Sequence, residues 1–149
     1  MLALEVVEDG DVVVVRLHDG EDFHPTLLAA LDRVGLRYGV ILTGVGMLSD
    51  FELGWFEAAT RQYHKRTFAT PHELVSLSGS VAVTDDAEAR TMPHLHAALA
   101  GPDHALVGGH LFKATTAVLN EVAVLRLDAP LKRRLNPATG LMELALPKG

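Results

Sequence analysis

Three histidines in the second half of the chain carry the spacing of a metal site. His94 and His96 stand two residues apart, and His110 follows directly on Gly108-Gly109. On a β-strand alternate side chains share a face, so His94 and His96 project together, about 7 Å apart along the chain. If His110 sits on the partner strand in matching register, three imidazoles converge. Neutral imidazole suits zinc, copper, iron and nickel, and three protein ligands with one position left open form the pattern of a catalytic zinc site. Glycine inside a strand often marks close approach by a ligand or another backbone, and two glycines precede His110. The plainer alternative is a hairpin with ordinary polar histidines and a bulge at the glycines. The expectation is a divalent ion, zinc first, held by His94, His96 and His110.

Glu121 is the candidate catalytic residue. Its strand parity matches Leu119, Ala123 and Leu125, and an acid on an apolar face is seldom buried without a partner. It could orient a ligand histidine, join the metal or act as a base. The alternative is a surface ion pair on an edge strand. Glu73 shares parity with Val75 and Leu77 but stands at a strand entrance, where exposure is easier. His18, His24, His64, His72 and His104 lie beside turns, prolines or charges and read as surface residues. Arg16 and Lys113 could meet an anionic substrate, although no spacing selects them. Thr43-Gly44-Val45-Gly46 is a fragment of a phosphate loop without the full G-x-G-x-x-G. The chain holds no P-loop, no G-x-S-x-G elbow and no H-E-x-x-H.

The elements that must position these residues follow from periodicity. Val12 to Leu17 is β-branched between Asp-Gly turns and predicts a strand. Pro25 opens a helical pattern at Leu27, Leu28, Leu31 and Val34, with Gly35 as its stop. Gly39 to Leu48 is nearly all apolar and predicts a strand covered on both faces. Leu53 to Glu57, Tyr63 to Phe68 and Glu73 to Ser78 read as further strands. Gly79 ends the last of these, and Val81 to Thr84 continues beyond a bend. His94 to Leu99 and Ala105 to Phe112 flank the turn Gly101-Pro102-Asp103-His104 and predict a hairpin. Thr116 to Leu127 and Leu141 to Leu146 complete the set. One early helix and many later strands predict an α+β fold, a mostly antiparallel central sheet with one main helix, in a single domain spanning residues 1–149.

Composition bounds the function. The chain has 149 residues, 48% hydrophobic and 21% charged, enough for a real core. The formal net charge of −6 argues against direct nucleic-acid binding. The basic run Lys132-Arg133-Arg134 reads as a solvated turn. There are no cysteines, which excludes disulfides, thiolate ligands and thiol nucleophiles and fits a reducing cytoplasm. Met1-Leu2-Ala3-Leu4-Glu5 has no signal-peptide pattern, and no apolar run is long enough to cross a membrane.

Four blocks occur in order: Gly44-Val45-Gly46-Met47-Leu48-Ser49-Asp50, Glu73-Leu74-Val75-Ser76-Leu77-Ser78-Gly79, His94-Leu95-His96 and Gly108-Gly109-His110-Leu111. In them the chain resembles the plant and prokaryote conserved (PPC) domain, from about Val13 to about Leu127. The resemblance implies an α+β fold around an antiparallel sheet, a homotrimer, and a metal site at His94, His96 and His110. Plant members join the domain to AT-hook segments that bind DNA, and no Arg-Gly-Arg-Pro core occurs here. Acetolactate decarboxylase is similar in fold and holds zinc by an H-x-H pair and a later histidine. By that distant analogy a metal-dependent lyase acting on a small molecule is one reading, though this chain shows no match to that enzyme's full set of acids or its substrate-binding arginine. A non-catalytic interaction module or a DNA-associated regulatory domain is the alternative.

Overall fold

Runs of valine and leucine cut by Asp-Gly and Pro-containing turns leave most of the chain extended. The computed structural model describes residues 4–148; the opening Met1–Ala3, part of the stretch examined for a signal segment, lie outside them. In chain order the elements are β1 (Glu5–Asp9), β2 (Val12–His18), α1 (Phe23–Arg33), β3 (Gly39–Glu57), β4 (Gln62–Phe68), β5 (His72–Thr84), β6 (Thr91–Ala100), β7 (Leu106–Arg126), β8 (Lys132–Asn136) and β9 (Leu141–Leu144). No helix is long and apolar enough to cross a membrane.

The expected α+β class is corrected by this count. Strands take 63% of the described residues and helix 8%, so the fold is sheet-dominated with one short helix. The difference comes from strand length. Gly39–Leu48 and Leu53–Glu57 belong to one strand of 19 residues, and the second arm of the hairpin runs on through Thr116 as one strand of 21. Bulges let both strands bend without ending: the β3–β7 register shifts at four places. Lys132–Asn136, read as a turn, is a strand as well.

The sheet runs β1-β2-β7-β3-β5-β8-β9, with β4 on β3, and β6 bridging β5 and β7. That bridge closes a circuit, because β3 pairs β5, β5 pairs β6, β6 pairs β7 and β7 returns to β3, all antiparallel. Closure pairs the four circuit strands with one another, while β1, β4 and β9 remain as end strands. Leu48, Leu74, Leu77, Leu95, Leu99 and Leu111 belong to the buried core. The helix lays Phe23, Leu27, Ala30 and Leu31 into the same core, alongside Val13, Val15, Val122 and Val124. It ends where Leu36 N–H donates to Leu31 O, just past Gly35.

The opposite face of β2, β7 and β3 is not covered within the chain. Leu42 is 50% exposed and Val45 48%, so the expectation of a strand covered on both faces fails for the single chain. Cross-strand register aligns Val14 with Ala123 and Val45 with Glu121 on that outer face.

Gly79 sits in mid-strand rather than at a strand end. It pairs with Leu95, between the partners of His94 and His96, at φ +142°. A Cβ there would overlap the His94 carbonyl oxygen. Gly79→Ala is expected to lower stability by about 2 kcal/mol or more through clash and backbone strain, read as a lower midpoint in urea unfolding.

Candidate metal centre

The β6–β7 ladder sets the centre. His96 faces His110 directly across the pair, and His94 lies one side-chain repeat back on the same face of β6. Leu95 and Ala97, of opposite parity, point into the core. The three imidazoles therefore stand on the outer wall of the closed circuit. Gly109 allows β3 to run against β7 beside them: at φ +155°, a Cβ would come within 2.7 Å of the Gly54 carbonyl oxygen.

One nitrogen from each of His94, His96 and His110 can be chosen so that all lie within 4.8 Å of one another. The Nε2 atoms of His94 and His96 are 3.3 Å apart. Two ligands about 2.0–2.1 Å from a tetrahedral zinc stand about 3.3 Å apart, so this pair already matches one tetrahedral edge. His110 Nδ1 is buried without a hydrogen-bond partner. The donor set is imidazole alone, and these residues fit a divalent transition metal.

The surroundings of His94 and His110 favour their neutral forms. Burial, with the charges of His94, His96, His24 and Lys65 adding, pushes His110 down to about 4. Burial also lowers His94, helped by Arg133 and His96. Tyr63 and Phe112 pack on the His110 ring at centroid distances of 5.3 and 4.2 Å. Ligand histidines must be unprotonated, so these shifts favour metal uptake.

A cavity of about 740 Å³ opens beside His94 and His110. Two of its polar side chains were misread from sequence. His24, expected on the surface, turns inward from the first turn of α1. Its Nε2 lies 3.1 Å from the Leu111 carbonyl oxygen, which can only accept, so Nε2 carries the proton. Burial lowers its pKa, and its buried Nδ1 has no partner. Arg133, expected in a solvated turn, is buried in β8. The sequence held a signal for the second: Asn136-Pro137-Ala138-Thr139-Gly140 is a turn between two short alternating arms, the mark of a hairpin. For His24 no comparable signal exists.

Glu121 is not brought to the centre. It is exposed in the outer-face row between Arg16 and Val45, eleven positions along β7 from His110. At about 3.3 Å per residue the strand path between them is on the order of 35 Å. The roles expected for it at the metal are corrected accordingly: its apolar companions Leu119, Ala123 and Leu125 line the outer face, while Val122 and Val124 line the core. Glu73 is exposed, as expected, and Thr43-Gly44-Val45-Gly46 lies within β3 rather than in a phosphate loop.

The family model described as the Plants and Prokaryotes Conserved (PCC) domain matches residues 4–128. Among solved structures, a metal-containing protein from Archaeoglobus fulgidus is 29% identical, with 98% of this chain and 100% of that chain covered at a TM-score of 0.82. A protein from Bacteroides thetaiotaomicron described as a candidate DNA-binding protein is 23% identical, with 95% and 96% covered at 0.86. A plant- and prokaryote-conserved protein from Pyrococcus horikoshii is 19% identical, with 99% and 100% covered at 0.79. The last two likenesses speak for the fold alone. A search of curated proteins returns no match.

The depressed histidines give the metal-free protein a defined pH response. Unfolded His110 takes its proton near the ordinary 6.5 and folded His110 only near 4. Between these values the unfolded chain binds more protons, so stability is intact above pH 6.5 and falls as the pH drops towards 4. Urea midpoints across this range are expected to show the loss, with a shallower slope for His110→Gln; parallel slopes would contradict the assignment.

Proposed function

The chain belongs to the Plants and Prokaryotes Conserved domain family, and on that basis we propose that it is a metal-binding domain whose three-histidine centre serves a small-molecule site. The observation that carries this reading is the convergence of His94, His96 and His110, two of which, His94 and His110, line a cavity. The metal-containing description of the Archaeoglobus protein adds support. Zinc is the first choice, since it accepts three imidazoles and keeps a fourth position open. A bound divalent ion supplies Lewis acidity towards a carbonyl or hydroxyl oxygen of the ligand. His94, His96 and His110 hold it; His24 offers an unpartnered Nδ1 to a ligand donor, and Tyr63 and Phe112 screen His110 from water. A lyase-like reaction on a small keto-acid stays an analogy within this reading. The absence of cysteine fits a reducing cytoplasm as the protein's setting.

The assembly proposed is a homotrimer, which the family resemblance implies. The exposed Val14, Leu42, Val45 and Val75 support it as an apolar surface for a second copy of the chain. A second reading, a DNA-associated regulatory domain, draws on the description of the Bacteroides neighbour. The net charge of −6 weighs against direct phosphate contacts.

Elemental analysis of the purified protein is expected to find about one divalent ion per chain, lost in His110→Ala. Metal content unchanged in that variant, or zinc affinity equal to wild type, would remove the centre. Light scattering is expected to give three times the 16.0 kDa chain mass, falling towards one chain mass in Leu42→Asp/Val45→Asp. A single-chain mass for wild type at micromolar concentration would end the trimer reading.

A further inference from the structure

The β8–β9 hairpin lies beyond the family-matched residues 4–128, yet Arg133, Leu141 and Met142 from it wall one side of the cavity at the histidines. Arg133 is 4% exposed and borders that cavity. It donates to the Met142 carbonyl oxygen at 3.0 Å and to Ser80 Oγ at 2.8 Å, and its Nε is buried with no acceptor. Among the described residues no carboxylate pairs with it. Its neighbours Lys132 and Arg134 both take Asp85 instead.

A guanidinium keeps its charge at ordinary pH, and a buried charge without a counter-ion is costly. The charge also reaches the centre: after burial, it is the next cause holding His94 below its ordinary value. The cavity around it is otherwise largely apolar, with Met92, Leu111, Phe112 and Leu141. Its one carboxylate, Glu143, is engaged within the hairpin by Asn136 and Thr139. At about 740 Å³ the space suits a metabolite-sized ligand.

We propose that this cavity takes a small organic acid with an apolar body, whose anionic group pairs with Arg133 while the body lies against Met92, Phe112 and Leu141. The inference rests on the reading of the cavity as the ligand site of the histidine centre, but not on a metal being bound. Arg133 is then the counter-charge that selects anions, and the hairpin is the element that sets specificity.

The test uses 3-phenylpropanoate and its uncharged match, 3-phenylpropanamide, titrated calorimetrically into the wild-type protein with and without its metal. The acid is expected to bind about 10-fold or more tightly than the amide in both forms, the strength of a charge-assisted hydrogen bond. In Arg133→Gln that preference is lost. Because Arg133 also ties the hairpin to β5, the wild-type Arg133 Nε–H resonance provides a second measurement, and it is expected to shift with the acid and not with the amide. Equal affinity for the two probes, no binding of either, or a still resonance overturns the proposal. A preference that vanishes with the metal overturns it too, placing the acid on the ion and leaving the metal reading intact. Wild-type protein that takes up no metal yet shows the preference sinks the metal reading and sustains the anion site.

Discussion

Register between β6 and β7 governs what the histidines can do. A strand's side-chain period is two, so a slip of one residue would send His110 to the face opposite His96 and put imidazoles into the core. The slip is prevented from several directions at once. β6 is paired on its other edge to β5, β7 on its other edge to β3, and β5 to β3, so moving one ladder breaks the circuit. Gly46, Gly79 and Gly109 mark close approaches within the circuit, each with another backbone carbonyl where a side chain would begin. The chemistry of the centre is thus inherited from the closure of the barrel-like circuit, not from any loop.

Charge is distributed in a way that suits the same centre. The chain is net acidic, but no carboxylate is among the groups that shift His94 or His110: Glu121 is on the outer face, Asp85 lies between Lys132 and Arg134, and Glu143, which lines the same cavity, is held within its hairpin. A carboxylate beside the rings would stabilise their protonated forms. Instead the close charged neighbours are Arg133 and Lys65, which act with burial to hold His94 and His110 neutral.

The histidine cluster was legible because its signal is local and periodic. H-x-H fixes a shared face, Gly-Pro-Asp-His fixes the turn, and antiparallel pairing then brings in His110. The fold class was not legible, because bulges hide the continuity of β3 and β7 and make long bent strands look like several short elements. Glu121 shows a second limit: alternation separates two faces but does not say which one the protein buries, and both faces of β7 are apolar. Arg133 shows a third. A run of three basic residues looks solvated, and only the hairpin's packing on β5 reveals that the middle one turns inward to Ser80. His24 depended on the placement of a helix over a strand 87 residues away, which no local pattern encodes.

The hairpin that walls the cavity is joined to β5 by only two register pairs, Val83 with Lys132 and Thr84 with Arg133, and these are parallel. Every other ladder in the sheet is longer and antiparallel. Regions held by few pairings open at a lower free energy than the whole molecule unfolds. The protein therefore has two mechanical tiers: a closed circuit that keeps the imidazoles in place, and a hairpin flap beside the cavity, held by two ladder pairs and by the ties of Arg133 to Ser80 and of Lys132 and Arg134 to Asp85. Local opening of the flap would expose its backbone amides, and the cavity behind it, to solvent while the histidines stay in register.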